Sequence, residues 1–82
     1  MINSKITLKS FNGELVAPDD CDPKENYWLL IGKKGKIIKN INANQRVLVE
    51  FYESINELGL YCHNKVPNSL LILLSDIEFI NE

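Results

Sequence analysis

The chain has 82 residues, 45% of them hydrophobic and 24% charged, and a net charge of −2. That length gives one domain, residues 1–82, with room for a single modest core. The charge balance provides no global attraction to nucleic acid, and two cysteines without a secretion signal point to reduced thiols rather than a disulfide scaffold.

The opening MINSKITLKSF has no long apolar run and no cleavage pattern. The longest apolar run, LLILL at 70–74, falls far short of the ~20 residues that span a membrane. A cytoplasmic protein with no membrane contact is expected.

KITLKSF alternates Ile6 and Leu8 with Thr7 and Lys9, a period of two that suits a half-buried strand. Asn12-Gly13 then makes a turn, and ELVA at 14–17 reads as a short return strand. APDDCDPKEN follows, with two prolines and a run of acids, so residues 12–26 form an acidic loop.

Next comes LLIGKKGKIIKNI, residues 29–41, where Gly-x-x-Gly sits among lysines. Residues 27–49 hold Lys33, Lys34, Lys36, Lys39 and Arg46 and no acid, a basic centre between acidic flanks. RVLVEFYE is the clearest strand, with Val47, Val49 and Phe51 on one face and Leu48, Glu50 and Tyr52 on the other.

In SINELG, Ser54 and Glu57 have capping-box spacing and Gly59 is a natural stop, which predicts one compact helical turn. LYCH reads as a short strand and NKVPN as a turn. In SLLILL, Leu70, Ile72 and Leu74 share one face while Leu71 and Leu73 share the other. Two apolar faces predict either burial on both sides inside a closed barrel or a homo-oligomer meeting through Leu71 and Leu73. SDIEFINE closes the chain as a tight turn and a brief strand. The sum is an all-β domain: a small barrel of five or six strands with one short helical turn.

Ile31-Gly32-x-x-Gly35-x-x-Ile38 resembles the RNA-gripping loop of K-homology domains, which joins two helices. Asn40, Asn42 and Asn44 make the second helix a poor one, because their side chains compete for backbone hydrogen bonds. The same residues, with RVLVEF after them, resemble the KOW motif of ribosomal and elongation proteins over residues 29–51. LLSDIEFI resembles the last turn and strand of a Src-homology-3-type barrel. These two resemblances imply an SH3-like barrel in which Gly32-x-x-Gly35 is a bend between strands.

Two functions stay open. The first is a non-enzymatic interaction module that contacts another protein through Asp19, Asp20, Asp22, Glu25, Tyr27 and Trp28, with Tyr61 as a further aromatic. A small acidic protein of this kind is similar in general terms to bacterial immunity proteins that neutralise a basic partner. The second is RNA or single-stranded nucleic-acid binding through Gly32, Lys33, Lys34, Gly35, Lys36, Lys39 and Arg46, with Tyr27 and Trp28 stacking bases.

Cys21, Cys62 and His63 are the only soft ligands, and Cys62 and His63 are adjacent, so on a strand they point to opposite faces. Asp19, Asp20 and Asp22 lack the spacing of a calcium loop. No catalytic residue, metal or cofactor is therefore expected.

Overall fold

The computed structural model describes residues 2–62 and 64–80. Among these, five strands form one antiparallel sheet: β1 (Lys5–Leu8), β2 (Lys34–Lys39), β3 (Arg46–Phe51), β4 (Ser69–Leu73) and β5 (Ile77–Phe79). Their order is β4-β3-β2-β1-β5, so β4 and β5 are the two edges. The all-β expectation holds. Short 3-10 turns occupy Pro23–Glu25, Tyr27–Leu30 and Leu74–Asp76.

Strand β3 lies inside the sheet between β2 and β4, and Leu48, on the face opposite Val47 and Val49, is buried as well. Val47, Val49 and Phe51 face inward and are buried, with Ile6, Leu8, Ile37, Leu70, Ile72 and Ile77 around them in one apolar cluster. Side chains of this size stabilise by about 1.5–3 kcal/mol each when fully removed from water.

The two glycines of the basic stretch serve different needs. Gly32, at φ +89°, follows Ile31 at φ −59° and ψ 129°, and Lys33 N donates to Leu30 O at 2.9 Å, which is a type II turn with glycine where φ must be positive. Gly35 instead lies inside β2, where a Cβ would stand 2.6 Å from Glu50 O on β3. Neither glycine joins two helices: the residues before are one 3-10 turn and those after are a strand.

The asparagines do what their side chains favour. Asn42 Oδ1 accepts from Asn44 N at 2.9 Å and Arg46 N at 3.0 Å, closing the β2–β3 hairpin. Ile38 is the extra residue of a bulge, since the register steps from Ile37↔Val49 to Lys39↔Leu48. The predicted turn at 54–59 is present: Ser54 Oγ accepts from Glu57 N at 3.3 Å and Gly59 takes φ +81°. It carries Ile55 and Leu60 into the core.

Four local expectations fail. ELVA is not a strand; only an isolated Phe11↔Glu14 bridge forms, and Leu15 and Val16 turn out to solvent. Tyr27–Leu30 is a 3-10 turn rather than a strand leading into a bend, because the loop before it and the type II turn after it leave no partner for extended backbone. In LYCH the described residues 60–62 are not strand, and His63 lies outside the described residues. Of the two readings of β4, burial on both faces fails: Leu71 is 42% exposed and Leu73 is half-buried.

Candidate functional site

Two surfaces carry the residues singled out from sequence. The first is built on the segment between β1 and β2. After Leu8 the chain makes the Phe11–Glu14 bridge and a wide loop, then two 3-10 turns. Asp22 starts the first of these, its Oδ1 accepting from Lys24 N at 2.9 Å, with Pro23 at the first helical position.

The loop and the second 3-10 turn enclose an open cleft of about 500 Å³, lined among others by Leu15, Val16, Pro18, Asp19, Trp28 and Leu29. Leu15 is 71% exposed, Val16 78% and Leu29 52%. Apolar side chains this bare, gathered on one concavity, leave a surface that loses free energy to water until something covers it.

The aromatic base of the cleft is firmly placed. The Trp28 ring meets Phe11 edge-to-face at 4.9 Å between centroids, and Tyr27 meets Phe11 at 5.6 Å. Tyr27 is buried and its hydroxyl donates to Tyr61 O at 2.7 Å. Burial first, then the charges of Glu25 and Cys62, push the Tyr27 phenol above its ordinary value. Tyr61 N donates to Lys24 O at 2.9 Å, and Lys24 Nζ donates to Tyr61 Oη at 3.0 Å, so the loop is pinned from residue 61.

Two polar atoms here are buried without a hydrogen-bond partner: Asn26 Oδ1 and Trp28 Nε1, an acceptor and a donor, both on cleft-lining residues. Such orphans each cost about 1–3 kcal/mol relative to a satisfied state.

Asp19 lines the cleft, and Asp20 and Asp22 follow on the same loop, all three exposed. Glu25 is also exposed. Cys21 lines the cleft as well, and its thiol donates to Asp22 O at 3.4 Å. Desolvation, followed by the Asp22, Glu25 and Asp20 carboxylates, pushes this thiol up, which keeps it protonated and a poor nucleophile.

The second surface is the outer face of β2. Lys36 stands in register between Lys5 and Glu50 and approaches the Glu50 carboxylate at 3.9 Å, while Lys33 pairs with Glu53 at 3.2 Å. Lys34 and Lys39 are exposed. Arg46 is engaged elsewhere, donating to Leu71 O at 3.2 Å and Asn12 Oδ1 at 2.9 Å.

The lysines and aromatics do not meet as a base-stacking groove would need. Tyr27 is in the core, and Trp28 lines a cleft that no lysine lines. Of the acids and aromatics named for a protein contact, Asp19 and Trp28 line the cleft, Asp20, Asp22 and Glu25 lie exposed on the adjoining segment, and Tyr27 is a core residue rather than a contact residue.

Sequence reasoning missed Leu15, Val16 and Leu29. The available signal was an apolar Leu-Val-Ala leading into a proline- and acid-rich loop, which the Asn12-Gly13 turn before it made read as a return strand. Among the described residues no three His, Cys, Asp or Glu side chains come together to hold a metal, and no helix is long and apolar enough to cross a membrane. The pairings of His63 with Cys21 or Cys62 lie outside the described residues. Compared with protein-family models, curated proteins and solved structures, the chain matches none.

Proposed function

We propose that this chain is a non-enzymatic interaction module that uses the cleft between loop 15–23 and residues 26–29 to hold a segment of another, basic protein. The observation that carries this reading is the exposure of Leu15 and Val16 over a cleft floored by Trp28 and Leu29. The bound segment presents an apolar side chain to the concavity and lysine or arginine to the acids beside it. Glu14, Asp19, Asp20, Asp22 and Glu25 face only Lys24 within residues 14–25, so the charge complement is cationic.

An SH3-like barrel is the finer architecture in keeping with this reading, since the Leu74–Asp76 3-10 turn leads straight into β5. Neutralising a basic partner, as immunity proteins do, is one biological form such binding takes.

The test is an NMR titration of the 15N-labelled protein with a short alternating Leu-Lys peptide and, as control, its Leu-Glu counterpart. The expected result is shifts at Val16, Leu29 and the Trp28 indole with the lysine peptide alone. Shifts gathered on Lys33 to Lys39, or equal response to both peptides, would sink the proposal.

A further inference from the structure

Among the described residues Asp76 is the only buried acidic side chain, 1% exposed, and the chemistry of the cleft does not use it. It ends the 3-10 turn before β5, yet its carboxylate serves a segment more than sixty residues away in sequence. Oδ1 accepts from Ser10 Oγ at 2.6 Å and from Gly13 N at 3.0 Å, and Oδ2 accepts from Asn12 N at 2.8 Å. Its own backbone oxygen takes Lys9 N at 2.9 Å. Four donors between Lys9 and Gly13 are thus gathered around one buried residue, and the Arg46 guanidinium adds a hold from β3 on Asn12 Oδ1.

Phe11 sits in the middle of this held segment. It is buried, and its ring is the one against which both Trp28 and Tyr27 pack. The loop bearing Leu15 and Val16 springs from the far side of the same bridge, Phe11↔Glu14. A contiguous path therefore runs from the Asp76 carboxylate through Asn12 and Gly13 to Phe11, then to the Trp28 floor and the Leu15–Val16 wall. No member of that path upstream of Trp28 lines the cleft.

We infer that Asp76 is the positioning residue of the cleft: it sets the placement of Phe11, and through Phe11 that of Trp28, without touching a ligand. This rests on the cleft being the binding site, but its physical core does not. A carboxylate is needed rather than an amide because it accepts on both oxygens. In Asp76→Asn, whichever way the amide is turned, its NH2 faces either Asn12 N–H or Gly13 N–H, donor against donor. The segment must then give way at that point while the β2–β3–β4 ladder, which shares none of these bonds, keeps its own.

The experiment is Asp76→Asn followed by amide exchange and by the indole signal of Trp28, the only tryptophan in the chain. Exchange at Asn12 and Gly13 should rise about tenfold or more, as expected for a lost charge-assisted bond. The Trp28 indole signal should move, exchange at Val49 and Ile72 should hold, and the Leu-Lys peptide should bind more weakly. Ser10→Ala removes one donor without stranding an amide, so it should move the Trp28 signal the same way by less, and it keeps the test alive if Asp76→Asn does not fold. A Trp28 signal that stays in place while Asn12 and Gly13 loosen overturns the inference. So does uniform acceleration of all amides, which marks Asp76 as merely stabilising. If the wild-type cleft ignores the peptide, the proposed function falls, and the Trp28 response alone decides on Asp76.

Discussion

The β2–β3–β4 sheet and the segment from Phe11 to Leu29 are held together by opposite means. Strand β3 pairs residue for residue with β4 from Arg46↔Leu73 to Glu50↔Ser69, and its inner face is fully buried. The cleft segment has one isolated bridge, one buried carboxylate that holds its base, and a few tethers near Tyr61. The sheet therefore sets whether the molecule folds, whereas the mostly exposed loop 15–25 can change shape or sequence with little effect on folding, its two ends being anchored in the core by Phe11 and Tyr27. Loops carried on a rigid scaffold are where recognition concentrates, for this reason.

Substitutions of graded size separate the two regions. The largest effect belongs to Phe51→Ala, which empties the centre of the inner face and should cost about 3–5 kcal/mol, read as a fall in the urea midpoint. Sheet and cleft signals should be lost in one transition; a cleft that melts first would show that the segment is a separate unit. Gly35→Ala comes next. Its methyl group meets the Glu50 carbonyl oxygen, a backbone atom, so strand β2 must shift, at about 2–3 kcal/mol.

Tyr27→Phe removes the hydroxyl that donates to Tyr61 O and should cost about 1 kcal/mol. The same residue gives an alkaline pH dependence. The folded state raises the Tyr27 phenol above 10.0, so it retains a proton that the unfolded chain releases. Its contribution is intact below pH 10 and is lost as pH rises through the folded value. Urea midpoints of wild type and Tyr27→Phe should therefore converge above pH 10, and midpoints that stay parallel would show that the phenol is not protected.

The smallest effect on stability is the most informative about function. Leu15→Ser and Val16→Ser touch side chains that are mostly in water, so each should alter the midpoint by no more than about 0.5 kcal/mol. Both should nonetheless weaken binding of the Leu-Lys peptide. A large loss of stability would mean that these residues pack in solution and that the cleft is closed.

The elements legible in the sequence were those whose pattern is local. RVLVEF alternates in a way that only a half-buried strand satisfies, and β3 spans those same residues. NINANQ could not continue a helix because asparagine side chains capture backbone amides, and Asn42 does so. Ser54, Glu57 and Gly59 fixed a turn by capping chemistry. ELVA failed because a turn at Asn12-Gly13 followed by three apolar residues carries no information about whether a partner strand is within reach.

The candidate site was half legible. Composition marked the acidic loop, but the sequence left Trp28 open between a protein contact and base stacking. Its role depends on where Phe11 lies, a residue seventeen positions earlier in the chain.

Local pattern alone reveals that the protein is all-β, where β3 runs, that the asparagines before it turn the chain, and that a basic centre lies between acidic flanks. These follow from periodicity, side-chain propensity and charge, all of which act within a few residues. Only the tertiary structure decided that Gly35 must be glycine, that Asp76 is buried with three donors, and that Leu15 and Val16 stand over Trp28. Each of those depends on atoms brought together across strands or loops, and long-range contact is a property of the packed chain that no local pattern encodes.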